Sequence, residues 1–306
     1  MFESLLLSKN LFEVILFFSL GYFSRKTKFL PEETSDYLVK FIINIAFPAL
    51  VIYNIYYLHI TKNLLFIIIS GWFVIFFSIF ISYFIGKLLK LNKPSLATFI
   101  MMSTFGNTSF VGFPYLKAFL GEESLKYGVV FDQLASFLPV SLLSGFILAY
   151  GSGKKANIDI KKVITFPPFI ALIFGFLVAQ FPVPKFILNS LKDIGDTVIP
   201  LAIFSVGMNL KLSFALFEKR NVFFILLIKM IFVPLLVLTV LKISGINLSI
   251  QLKTFMLEIS MPPMVLASIL VINEKLNKDM AVSAVGIGII ISFITLPFIY
   301  YLMESI

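Results

Sequence analysis

The chain has 306 residues, of which 59% are hydrophobic and 13% charged, with a net charge of +9 and no cysteine. A water-soluble domain is nearer half apolar with about a quarter of its residues charged, so there is too little polar surface here to coat a soluble fold, and lipid is the natural solvent for the excess. The missing cysteine excludes disulfides, thiolate metal sites and cysteine nucleophiles, and the basic residues lie in short loops between apolar segments, where they report membrane orientation rather than nucleic-acid binding.

A helix needs about 20 apolar residues to cross the hydrocarbon layer. Ten segments predict such spans: 4–24, 34–57, 64–89, 95–119, 125–150, 162–181, 186–209, 221–243, 250–272 and 279–303. The apolar stretch of the first, Leu11–Phe23, is followed by Ser24-Arg25-Lys26-Thr27-Lys28 without a small-residue cleavage pattern, so it reads as a retained span. Glu13 and Lys40 are taken to snorkel from the ends of spans one and two. The single histidine, His59, sits in the next short loop beside Lys62 and reads as solvated. The longest polar break, Gly151 to Lys162, is a loop with no room for a soluble domain, so binding must occur inside the membrane bundle. No cofactor or metal is expected.

Lysine and arginine are unevenly placed. The loops 1–2, 3–4, 5–6, 7–8 and 9–10 carry 15 of them and the opposite face 8. Positively charged loops face the cytoplasm. This predicts a multi-pass protein of the cell membrane with both termini outside.

Five spans precede the 151–162 loop and five follow it. An odd number per half forces opposite orientation, as in inverted-repeat transporters. The expected fold is therefore all-α, with two inverted five-helix repeats at 1–150 and 163–306. The halves also rhyme: Phe47-Pro48-Ala49-Leu50 in span two matches Ile199-Pro200-Leu201-Ala202 in span seven, the prolines 152 positions apart.

Span four reads Ser103-Thr104-Phe105-Gly106-Asn107-Thr108-Ser109-Phe110-Val111-Gly112-Phe113-Pro114. Glycine and proline weaken the helix, and proline removes a backbone donor. Each backbone group freed in hydrocarbon costs several kcal/mol unless something satisfies it. Span nine is disrupted alike at Ser260-Met261-Pro262-Pro263. Interrupted helices in corresponding positions of two halves point to a transporter's binding site. The candidate substrate-binding residues are Gly106, Asn107, Thr108, Ser109, Pro114, Ser260, Pro262 and Pro263. The reading as packing kinks stands beside it, since glycine and proline are common in membrane helices.

Three charges lie deep within spans: Asp132, Lys229 and Glu258. Each costs about 2.5–3.5 kcal/mol at a helix centre on insertion scales. They are candidates for coupling to H⁺ or Na⁺, against the plainer alternative of a structural Lys229–Glu258 or Lys229–Asp132 ion pair.

The segments Asn44-Ile45-Ala46-Phe47-Pro48, Gly106 to Pro114, Phe119-Leu120-Gly121-Glu122-Glu123, Val130-Phe131-Asp132, Ile199 to Met208, Met261-Pro262-Pro263 and Ile291 to Pro297 resemble, in family order and over nearly the whole chain, the auxin efflux carrier (AEC) family of permeases. That family includes the plant PIN-FORMED carriers and belongs with the bile acid/arsenite/riboflavin transporters. The resemblance implies a scaffold of helices 1, 2, 6 and 7 and a mobile core of helices 3–5 and 8–10, with broken helices 4 and 9 crossing. It also implies organic-anion substrates and a homodimer. Two features depart from the plant pattern: the long cytoplasmic loop is missing, and Leu266 stands where relatives often carry an amide. Plant-like auxin selectivity is therefore not expected.

The residues and the resemblance together predict a secondary-active carrier of a small organic anion such as a carboxylate, working by elevator-like alternating access. The alternative is a cation or proton exchanger or channel with no organic substrate. An intramembrane enzyme is disfavoured, because there is no cysteine, no histidine pair and no metal-ligand cluster.

Overall fold

The computed structural model describes residues 2–156, 160–210 and 218–305, the side chains of 2–10 and 162 aside. Residues 157–159 of the predicted 151–162 loop lie outside them, as does much of the loop after span seven. Among the described residues the chain is helical, with no β-strand. Five helices are long and apolar enough to cross a membrane: α2 (Thr34–Tyr56), α3 (Lys62–Leu88), α6 (Glu122–Ser152), α11 (Lys219–Ile243) and α14 (Lys278–Glu304). The others are α1 (Phe2–Lys26), α4 (Lys93–Thr104), α5 (Phe113–Leu120), α7 (Ile160–Ile164), α8 (Pro167–Val178), α9 (Lys185–Asp196), α10 (Val198–Met208), α12 (Ile250–Ile259) and α13 (Val265–Asn273). Predicted span seven is two helices, α9 and α10, that meet at Thr197. Glu13 stands near the middle of α1, too far from either end for the expected snorkelling.

Proline placement explains much of the local structure. Pro48, Pro114, Pro139 and Pro234 each stand second in an α-helical stretch that follows a π turn, at Ile42–Ala46, Thr108–Gly112, Asp132–Phe137 and Leu227–Phe232. Proline has no N–H, and its ring crowds the carbonyl four residues back. Widening the preceding turn by one residue lets the freed carbonyls find other donors, which hydrocarbon would not supply. Such bulges recur at functional sites, and here they carry Thr108, Asp132 and Lys229.

The chain forms two compact units. The first comprises residues 1–62, 109–133 and 161–210. Its core is held by glycines that admit backbone against backbone. A Cβ on Gly21 of α1 would lie 2.0 Å from the Phe204 carbonyl oxygen of α10, and one on Gly207 of α10 would lie 2.1 Å from the Phe18 carbonyl oxygen of α1. A Cβ on Gly195 of α9 would likewise meet the Leu50 backbone of α2, at 2.8 Å from its Cα. Small residues permit such approaches in lipid, where helix association rests on van der Waals packing. The α5–α6 corner turns at Gly121, whose φ of +79° favours glycine. The next residue, Glu122, gathers Lys117 at 3.2 Å and Lys192 at 3.4 Å.

The second unit comprises residues 63–108, 134–160 and 211–306. In it α4 packs on α6, α13 and α14, and α11 on α14. Asn277 knits the helix starts together: its amide donates to Ser95 Oγ at 3.0 Å and to Glu218 Oε1 at 2.7 Å.

Candidate functional site

The second unit contains both helix interruptions. α4 begins cleanly, with the Asn92 side chain accepting from the Ser95 N–H at 3.0 Å and Pro94 in the first turn. It ends at Thr104, and Phe105 is extended at φ −89°, ψ 126°. α12 ends at Ile259 and α13 starts at Val265, leaving Ser260 to Met264 outside regular helix.

The two irregular stretches run antiparallel, with Gly106 opposite Pro263. The Asn107 N–H donates to the Pro262 carbonyl and the Met264 N–H to the Phe105 carbonyl, each at 2.9 Å. Two donors and two acceptors freed by the breaks thus satisfy one another where water is absent. Pro262 and Pro263 have no N–H, so the break at 260–264 frees fewer donors than any other pair would. Within its own stretch, Ser260 Oγ donates to the Met256 carbonyl at 2.6 Å.

Around this pairing is a polar cluster cut off from solvent. Asn107 is 4% exposed, and its Nδ2 has no hydrogen-bond partner among the described residues. The same holds for the buried hydroxyls of Ser103 and Thr104 at the end of α4. Thr108 Oγ1 donates to Ser136 Oγ at 3.0 Å. A buried amide donor without an acceptor is costly and is suited to an acceptor brought in by a ligand.

Lys229 sits on the π turn of α11, 5% exposed, and its Nζ donates to the Ile259 carbonyl at 2.8 Å. Ile259 is the last residue of α12, so the ammonium lies at the negative end of that helix dipole. The wholly buried Glu258 is one residue earlier and within electrostatic range of Lys229. Gly106 leaves room for this ammonium: a Cβ there would lie 3.0 Å from Nζ and 3.1 Å from Cε.

The second unit therefore brings together Gly106, Asn107, Thr108, Lys229, Glu258, Ser260, Pro262 and Pro263. Ser109, Pro114 and Asp132 belong to the first unit. There Pro114 is buried in α5, and Asp132, 3% exposed, accepts from Gln133 Nε2 at 2.7 Å. Two further residues escaped sequence reasoning. Ser136 is one of several serines in a mostly apolar helix, with nothing in the sequence to single it out. Gly288 is where α14 presses on the double proline, since a Cβ there would come 2.7 Å from Pro263 Cδ. The pair Gly286 and Gly288 was the available signal for close approach. Among the described residues no group of three histidines, cysteines or acids could hold a metal ion.

The arrangement can present a buried amide donor and a fixed positive charge to a solute at a two-point backbone crossing. The family of membrane transport proteins matches residues 6–300. An uncharacterized transporter of Methanothermobacter thermautotrophicus is 24% identical over 296 residues, 95% of this chain and 96% of that one. An uncharacterized transporter of Methanocaldococcus jannaschii is 29% identical over 212 residues, 64% of this chain and 67% of that one. Multi-pass, and built around an interrupted helix pair, the chain belongs to the membrane transport protein family.

Proposed function

We propose that the protein is a secondary-active permease for a small organic anion. The observation that carries the reading is the reciprocal bonding of 105–107 with 262–264 beside the unsatisfied Asn107 amide and the Lys229 ammonium. Broken helices that expose backbone polarity are tolerated in membranes only where protein or a wet cavity surrounds them, and in transporters they hold the solute. In this reading a carboxylate accepts from Asn107 Nδ2, with Gly106, Thr108, Ser260, Pro262 and Pro263 of the same unit shaping the site.

Lys229 suggests how charge is handled. A cation-coupled carrier must place its ion at freed carbonyls and helix C-terminal ends. Here the ammonium already bonds to the last carbonyl of α12. We assign it as a tethered cation that stands in for Na⁺, with Glu258 and Asp132 as the proton-coupling carboxylates. Ten spans in two inverted five-helix halves, a scaffold of helices 1, 2, 6 and 7, and elevator-like displacement of the other helices complete the proposal. The basic loops face the cytoplasm, and both termini lie outside the cell membrane.

The test is uptake of radiolabelled carboxylates into proteoliposomes. Transport is expected to persist without Na⁺, to follow an imposed pH gradient, and to fall at least about tenfold in Asn107→Ala, the loss of one hydrogen bond to a charged group. Undiminished transport by that variant removes the site assignment. Ion flux with no carboxylate dependence favours the exchanger or channel instead.

A further inference from the structure

Away from the crossing, the second unit contains a groove of about 290 Å³ between α11 and α14. Its walls are Val222, Leu226 and Met230 on one side and Ile287 and Ile291 on the other, and Lys219 stands among the lining residues. The neighbouring Phe223 and Ile294 are 60% and 74% exposed, so the groove opens toward the lipid side of the helices.

Its dimensions are those of one leaflet. The lining runs from Lys219 to Ile231 on α11 and from Ser283 to Thr295 on α14. Twelve residues at the helical rise span about 18 Å, against about 15 Å for half of the hydrocarbon layer. The two helices start side by side, through the Asn277–Glu218 hydrogen bond. Lys219 therefore marks the interfacial end of the groove and Ile231 the deep end.

That mouth is basic. Arg220 follows Lys219, and its Nη2 donates to the Leu89 carbonyl at 3.3 Å, at the end of α3 between Lys87 and Lys90. Of the carboxylates at these helix starts, Asp279 is followed along α14 by the groove and preceded by Lys278, and Glu218 is already engaged by two amides, Asn277 at 2.7 Å and Asn221 at 2.8 Å. An apolar slot one leaflet deep with cations at the headgroup level has the form of a phospholipid site, and basic pockets between membrane helices select anionic headgroups.

We propose that this groove holds one acyl chain of an anionic phospholipid whose phosphate is bound by Lys219 and Arg220. The lipid splints α11 to α14 behind the crossing, because Leu226 in the groove wall lies 3.1 Å from a Cβ placed on Gly288, the residue that meets Pro263. The inference does not rest on the transport reading, since binding is measured with no solute present.

The experiment uses the full chain, purified in detergent, stripped of lipid and offered equal amounts of phosphatidylglycerol and phosphatidylcholine, with retained lipid counted by native mass spectrometry. Phosphatidylglycerol should be retained preferentially, and Lys219→Ala and Arg220→Ala should each reduce the preference about fivefold, the value of one basic residue near an anionic surface. Ile287→Trp, or the milder Ile291→Phe if that variant fails to fold, should fill the groove and expel both lipids. Soluble glycerol phosphate should not compete, because it lacks the chain. Equal retention of the two lipids, a preference that survives Lys219→Ala/Arg220→Ala, undiminished binding to the filled groove, or competition by glycerol phosphate overturns the proposal.

Discussion

The two compact units use glycine differently. At the tightest glycines of the first unit, Gly21, Gly207 and Gly195, the atoms that a Cβ would strike are backbone: the Phe204 and Phe18 carbonyl oxygens and the Leu50 Cα; Gly175 meets the Ile55 side chain at 3.0 Å. In the second they are side-chain atoms: Leu96 Cδ1 against Gly86, Ala97 Cβ against Gly151, Lys229 Nζ against Gly106 and Pro263 Cδ against Gly288. Backbone cannot yield without shifting a whole helix, and the Ala97 Cβ and the Pro263 ring move only with their own backbone, whereas the ends of Leu96 and Lys229 can change rotamer. The first unit is thus packed to a fixed spacing. The second keeps an adjustable contact at Gly106, against the end of Lys229, beside its breaks, where the buried polar groups also gather.

The comparison can be broken most directly in the first unit. Gly207→Leu should lose stability at or beyond the upper end of the about 1–3 kcal/mol typical of overpacking, seen as a collapse of monodisperse protein and a lowered thermal midpoint in detergent. A folded variant with wild-type stability would undo the contrast. Next, Lys229→Met should abolish carboxylate uptake while moving the thermal midpoint far less than Gly207→Leu, because it deletes a charge without adding bulk at a backbone contact. Comparable loss of fold would make Lys229 structural. Gly288→Ala should cost about 1–2 kcal/mol as overpacking against the Pro263 ring, read by the same melt. The smallest effect belongs to Gly106→Ala, expected to cost under about 1 kcal/mol because the far end of Lys229 can move by a few tenths of an ångström. A drop as large as that of Gly207→Leu would show the second unit to be as rigid as the first.

The helix interruptions were legible because their cause is local. Gly106 and the pair Pro262-Pro263 act on their own backbone whatever surrounds them, and the chain leaves the helix at 105–107 and 260–264. The deep charges were visible for the same reason, as any ionisable group in a long apolar run is. What lay hidden depends on distant parts of the chain. An ion pair of Lys229 with Glu258 or Asp132 was the plainer alternative; Glu258 does act electrostatically on Lys229, and the ammonium also donates to the Ile259 carbonyl, a helix-end acceptor that exists only because α12 stops there. The Gly21–Gly207 contact joins residues 186 positions apart, and no glycine announces its partner. Glu13 was misread as lying near a span end, although the predicted span 4–24 and the observed helix Phe2–Lys26 both place it at the middle.

The reciprocal glycines of α1 and α10 also set what genetics can repair. Where main chain blocks an added methyl, no second substitution can clear the space, so lesions at Gly21 or Gly207 should yield only true revertants. A lesion at Gly106 meets the flexible tip of Lys229, and shortening that lysine should appear among its intragenic suppressors.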